Sequence, residues 1–375
     1  MTAALRLSRA DFTALSHGGG GAAVARTLVL ARRSRTLQLT GLAARLSPFA
    51  REAFDLLKDL PPAAVHRVLD HPRVADWALR AVTGRSAPEW LANVAAAAAI
   101  HAGRSVQVRL ARAEHAALPS VGTVVRPVAG RVTVDALDWE PVPRVDLDEG
   151  VSLELELWRA GSPPAGMRVD EDIDVVRWRD GLASAWGYLR GDHPAVAEEF
   201  AAAVRVLTPL RPSEKGVNSA TVADAFGCVF LSLGHDEKAV AVTLAHELQH
   251  QKLVVLMDLF PLVKADSGDR FYAPWREDPR PLAGLLHGVY AHLGVARFHR
   301  EAGQEADFAR WRAGALEAAT AMVESADLTV LGRDFVTGMI SVLAAWCSEP
   351  VAPAAAAEAN RLAAEHRARW VARNL

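Results

Sequence analysis

Cysteine is nearly missing from this chain: its 375 residues include two, Cys228 and Cys347. So sparse a pair makes neither a C-x-x-C zinc or redox motif nor the ligand set of an iron–sulfur cluster, and a reducing cytoplasm is the expected compartment. Excess charge is missing too. With 42 Lys and Arg against 44 Asp and Glu, the formal net charge is −2, which gives no sign of a nucleic-acid partner. The opening MTAALRLSRADFTAL lacks a basic start followed by an unbroken apolar core, so no signal peptide is expected. No apolar run free of charge or histidine reaches a membrane span, and a soluble protein is expected. Gly18 to Gly21 read as a flexible break, because no strand precedes them and no Lys-Ser/Thr pair follows in phosphate-loop register. Asp170, Glu171, Asp172 and Asp174 lack the glycine and terminal glutamate of a calcium loop, so they read as solvated. No internal repeat is found.

What remains is an ordinary globular balance, 51% hydrophobic and 23% charged, long enough for one large domain or two to three smaller ones. Amphipathic helical patterns run to about Pro119, including Asp55 to His71 and Trp77 to His101; Arg26, Arg32, Arg33 and Arg35 read as a solvated helix face. From Val121 to Trp158 the period changes. VGTVVRPV and RVTVDAL predict a hairpin about Ala129 and Gly130, and VSLELELW alternates as a half-buried strand. Residues 161–166 read as a loop. Asp174 to Leu189 and Pro194 to Leu207 read as helices, and Gly227 to Leu233 as a short strand ahead of a helix capped by Asp236. Further helices follow, with a Pro/Ala-rich joint over Pro350 to Ala357 and a charged final helix on the outside. The expected fold is α+β and mainly helical, in three regions: 1–120 helical, 121–210 strand-containing and 211–375 a metal-site helical domain, or one continuous unit.

The chemistry concentrates in AVAVTLAHELQHQKLVVLMDLFP. His246, Glu247 and His250 form H-E-x-x-H. On a helix, residues four apart share a face, so the two imidazoles can take adjacent sites on one divalent metal, with Glu247 about 100° around. The helix is apolar on every side and reads as buried. Two histidines and a glutamate buried without partners would cost on the order of several kcal/mol, which a metal removes. The blander alternative is a set of core groups satisfied by neighbours.

Two histidines need a third ligand. The next helix, LAGLLHGVYAHLGVARFHR, offers His287, His292 and His299. Its core stripe is Leu282, Leu285, Leu286, Val289, Leu293 and Ala296. His292 lies at the edge of that stripe and is favoured, His287 on the opposite flank is the reserve, and His299 in a charged tail reads as exposed. The intervening loop carries Arg276 and Arg280 among aromatics and prolines. Either could capture a carboxylate through its planar fork, or both could simply pair with Glu277 and Asp278 and stiffen the loop.

H-E-x-x-H alone points to a zinc peptidase with Glu247 as general base. HELQHQKLVVLMDLFPL followed by YAPWREDPRPLAGLLHGVYAHLGVARF resembles the H-E-x-x-H-type 2-oxoglutarate-dependent peptide β-hydroxylases, which are encoded with radical-SAM enzymes and modify ribosomally made precursor peptides. The resemblance covers roughly residues 218–300. It implies Fe(II), 2-oxoglutarate and O₂, a precursor peptide as substrate and a radical-SAM enzyme as partner. Under it His246, His250 and His292 hold iron, Glu247 orients a ligand, and Arg280 or Arg276 meets the distal carboxylate of 2-oxoglutarate. A strand feeding an H-E-x-x-H helix is a zincin-like layout, so a small sheet is expected beside that helix. The rivals are a zinc metallopeptidase acting on a peptide and a non-catalytic peptide-binding partner.

Overall fold

Prolines set many of the helix starts. Helices α1 (Arg9–Ser16) and α2 (Gly21–Ala43) are followed by three that open on proline: α3 (Pro48–Asp59), α4 (Pro62–Leu69) and α5 (Pro72–Val82). Proline suits a first turn, where its missing N–H would have had no partner. For the same reason the stretch Asp55 to His71, expected as one helix, is broken at Pro61 and Pro62. Alanine-rich α6 (Leu91–His101) comes next. Strands β1 (Gln107–Ala113), β2 (Ala117–Leu118), β3 (Gly122–Val124), β4 (Val128–Thr133), β5 (Trp139–Pro141), β6 (Arg144–Asp148) and β7 (Val151–Leu155) follow. Then come α7 (Val175–Asp192), α8 (Pro194–Ala203) and strands β8 (Val206–Pro209), β9 (Ser219–Ala220) and β10 (Cys228–Leu231). The chain ends in α9 (Glu237–Leu259), α10 (Leu282–Glu301), α11 (Glu305–Val323), α12 (Val330–Cys347) and α13 (Pro353–Asn374). This is a computed structural model, and it describes residues 6–375 except 114–115, 127, 149, 158–166, 213–215 and 235. Trp158 and the loop expected over residues 161–166 lie outside the described residues. With thirteen α-helices and ten strands among those described, the fold is mainly helical α+β.

The chain divides into two compact units, one of Met1–Leu28, Ser184–Ala202 and Asp236–Leu375, the other of Val29–Ala183 and Ala203–His235. The second unit is built around α6. Leu91, Ala92 and Val94 to Ala99 are all buried, and the small side chains let α3, α4, β1 and β2 approach closely. Its sheets are β1 with β4, β2-β3-β5, and a five-stranded sheet in the order β6-β7-β8-β10-β9. The strands β7, β8 and β10 run parallel, and Val206, Leu207, Cys228 and Val229 in their middle are fully buried.

Further sequence expectations fail in this unit: Gln107–Ala113 and Ala117–Leu118, inside the stretch expected to be helical to about Pro119, are strands. The predicted hairpin about Ala129 does not form, because β3 pairs with β2 and β5 whereas β4 pairs with β1. The helix expected to run to Leu207 stops at Ala203, and Val206–Pro209 is a strand. This strand, VLTP, is buried at every position, so burial on both faces and not a period decides its conformation. The arginine face is not uniformly solvated. Arg32 is buried and donates to Ala223 O at 2.8 Å, and Arg33 clasps Asp70 through two bonds of 2.7 and 2.6 Å.

The first unit is a helical bundle in which α10 packs on α9 and α11, and α11 on α12 and α13. The final helix is exposed as expected, with Ala359 and His366 its buried residues. Helix α12 is long and apolar enough to cross a membrane by length and composition, although Arg333 and Asp334 interrupt its apolar run. Its Phe335, Val336, Met339 and Leu343 are buried at helical spacing, in a bundle where α12 touches α1, α10 and α11.

Candidate metal centre

The helix that carries H-E-x-x-H starts where its cap says it should. The Asp236 carboxylate accepts from Lys238 N at 2.9 Å, and Phe260 ends the helix just before Pro261. What holds the helix in place was only partly legible. Lys252 is buried in an otherwise apolar stretch, and its Nζ donates to Glu199 Oε2 at 2.6 Å, Gly18 O at 3.1 Å and Gly19 O at 3.2 Å. Gln249 Nε2 and Arg297 Nη1 also donate to Gly18 O, at 3.1 and 3.3 Å. Glu199 Oε1 accepts from Gly21 N at 2.7 Å. Residues Gly18 to Gly21 are therefore not a flexible break. They form a turn with left-handed residues at Gly18 (φ +76°) and Gly21 (φ +68°), which turns carbonyls toward the buried Lys252 and the half-buried Arg297. Gly294 on α10 leaves the room that Gln249 needs, since a Cβ there would meet Gln249 Cγ at 2.6 Å.

Another face of α9 carries the histidines. The Nε2 atoms of His246 and His250 face each other at 3.1 Å, and both side chains are half-buried. Ligand atoms of His246, Glu247 and His250 all lie within 4.8 Å of one another, so this group could hold a metal ion. The fit can be tested on the spacing: two nitrogens each about 2.0–2.1 Å from one tetrahedral ion stand roughly 3.3 Å apart. The observed distance is close to that. Burial lowers the proton affinity of both rings, and at His250 the neighbouring His246, His287 and His292 add to the effect. Both therefore stay neutral and keep a lone pair for a metal.

Helix α10 brings two more imidazoles. The His292 ring lies 5.3 Å from that of His246, and the His287 ring 5.6 Å from that of His250. The two differ in support. His292 is buried, and its Nδ1 lies 2.8 Å from Gly288 O. The carbonyl can only accept, so Nδ1 carries the proton and Nε2 is left with the lone pair. Trp275 stacks on the ring at 4.2 Å, and Trp311 flanks it at 4.8 Å. Burial lowers His292 to about 3 and His287 to about 4. Among the described residues His287 has no comparable hydrogen bond. His299, expected to be exposed, is buried and bonds Gln304 Oε1 through Nδ1 at 2.5 Å.

In the loop, Arg276 and Arg280 both bind Asp278, at 2.8 and 3.0 Å, and Arg373 pairs with Glu277. Backbone bonds between Phe271 and Arg280 close the loop, 2.9 Å in each direction. The tryptophans that pin His292 were missed by sequence reasoning. Trp275 lies in the loop and Trp311 on α11, and no local spacing ties either to a ring on α10. The glycine at 288 was the available signal, since a Cβ there would meet Trp275 at 2.5 Å. No protein-family model and no characterised protein matches the chain.

Proposed function

We propose that this protein is an iron(II)- and 2-oxoglutarate-dependent hydroxylase acting on a side-chain β-carbon of a ribosomally made precursor peptide, its H-E-x-x-H helix serving in a zincin-like role. The observation that carries the reading is the pair of Nε2 atoms 3.1 Å apart on α9, with a third imidazole, His292 on α10, its ring 5.3 Å from that of His246 and its Nδ1 bonded to Gly288 O. The resemblance of residues 218–300 to the peptide β-hydroxylases selects iron over zinc. Iron with a chelating 2-oxoacid and O₂ supplies the oxidising power for inserting oxygen into a C–H bond.

The chain's own residues do the rest. His246, His250 and His292 would hold the ion. Trp275 and Trp311 keep water from His292 and fix its ring plane. Glu247, 2% exposed, would orient a neighbouring group. Arg280, with Arg276 in reserve, would meet the distal carboxylate by exchanging part of its contact with Asp278.

A second reading, a zinc metallopeptidase, is favoured by one observation. The Glu247 carboxylate belongs to the same 4.8 Å cluster, within reach of a base acting on water at the metal. Protein purified without oxygen, then given Fe(II), 2-oxoglutarate, O₂ and the peptide encoded beside its gene, is expected to add one oxygen atom to the peptide and release succinate. Zinc-dependent cleavage of the peptide, indifferent to 2-oxoglutarate and lost in Glu247→Gln, would overturn the proposal in favour of the second reading.

A further inference from the structure

The second unit contains a cleft of about 480 Å³ that the metal chemistry does not use. That size falls in the range of small-molecule sites. Its charges do not balance. Asp70 is taken by Arg33, and Glu154 is taken by Arg144 at 3.0 Å. Behind them Glu156 is met by Arg73 at 2.8 Å and by His71 at 3.0 Å. Two further arginines, Arg67 and Arg205, line the cleft with no carboxylate partner among the described residues. Arg67 is close enough to the His101 ring to help burial lower it to about 4.

The cleft also has a shaped floor. Ser120 adopts φ +62°, the single left-handed non-glycine conformation among the described residues. Strain of that kind persists where the surroundings over-determine it, and it concentrates at binding sites. Here His101 Nε2 holds the Ser120 hydroxyl at 2.7 Å, and Arg144 donates to the Ser120 carbonyl at 2.9 Å. A hydroxyl and two uncommitted guanidinium groups therefore face one volume.

We infer that this cleft binds a small oxyanion, a carboxylate or a phosphate group, through Arg67 and Arg205 with Ser120 at its floor. Arginine forks suit both groups, and the acids already in the cleft each have a cation of their own. The site is independent of the metal centre.

The test is isothermal titration of the full-length protein with inorganic phosphate and, separately, with citrate, at constant ionic strength. Saturable one-site binding of either probe is expected, and which one binds more tightly assigns the ligand to the phosphate or the polycarboxylate class. Arg67→Gln and Arg205→Gln should each weaken it about tenfold or more, the size of one charge-assisted hydrogen bond. Both residues are exposed, so neither change threatens the fold. His246→Ala should leave binding unchanged, which separates this site from the metal centre. Absence of saturable binding by both probes, or equal binding by the Arg67→Gln/Arg205→Gln double variant, would overturn the inference.

Discussion

His71 and His292 are both withdrawn from water, at 3% and 7% exposure, yet their surroundings drive them to opposite charge states. At His71 burial disfavours the proton. Glu156 and Glu154, 3.0 and 3.4 Å from Nε2, outweigh it and raise the ring to about 9. The 3.3 Å cap bond from Arg73 N to its Nδ1 is open only to the neutral ring, and it is too weak to reverse the carboxylates. At His292 burial, with His246 beside it, outweighs the Gly288 carbonyl bond that favours the proton, and the ring falls to about 3. One cluster closes its charges internally. The other sets neutral imidazoles side by side, with no carboxylate bonded to their rings among the described residues, and only that arrangement suits a cation from outside.

The largest test of this contrast is metal binding. His246→Ala or His250→Ala should lower metal affinity by well over the roughly 10–100-fold expected for loss of an outer partner. His71→Gln should leave it unchanged. Competition with a chromophoric chelator measures both. His292→Ala should resemble the α9 variants and His287→Ala should not. Equal losses from the two would remove His292 from the ligand set.

Helix α9 contains both regimes, which sharpens the point. Two residues beyond His250, Lys252 keeps its partner Glu199, although burial alone lowers its proton affinity. Lys252→Met should cost about 3–5 kcal/mol of unfolding free energy in urea, because Glu199 is left buried and unpaired. The double variant Lys252→Met/Glu199→Leu should recover much of that loss. If the single variant were silent, the clasp on Gly18 would not be what positions the metal helix.

The metal motif, its helix with cap and terminus, and the core stripe of α10 were legible because each rests on local spacing: i to i+4 for the imidazoles, i to i+3 and i+4 for the leucines. The place of His292 at the edge of the α10 core stripe was legible from the same wheel, though its support was not. The wheel places a ring; it cannot reveal a carbonyl acceptor or a stacked indole. Strand pairing was illegible for a similar reason. Val121–Val128 and Arg131–Leu137 look like two arms of one hairpin, but the strands formed there pair elsewhere in the chain. The Lys252–Glu199 pair was illegible too, because no local spacing ties Lys252 to an acid 53 residues earlier.

The His71 cluster offers a smaller, pH-resolved test. Its proton affinity is raised above that of the unfolded chain, so its contribution to stability is fully present below the unfolded value of 6.5 and is lost as pH rises through about 9. The difference in urea stability between wild type and His71→Gln should shrink by up to about 3 kcal/mol from about pH 6 to about pH 10. A difference that grew with pH would mean that the ring is neutral in the fold and that the cap bond, not the carboxylates, governs it.

The smallest expected effect concerns how His292 is held. Gly288 touches the ring's support twice: its carbonyl accepts from Nδ1, and its missing side chain leaves space for Trp275. A methyl at 288 would lie 2.5 Å from the indole, so the indole or α10 must move. Overpacking of this kind costs about 1–3 kcal/mol. Displacing an outer support of a ligand should weaken metal binding by about tenfold, the low end for such partners. Gly187→Ala on α7 is the control, because a Cβ there meets nothing within 4 Å and the change adds helix propensity. If Gly288→Ala lowered stability yet left metal affinity at the wild-type value, the Trp275 stack would serve packing alone, and His292 would owe its orientation to the carbonyl bond.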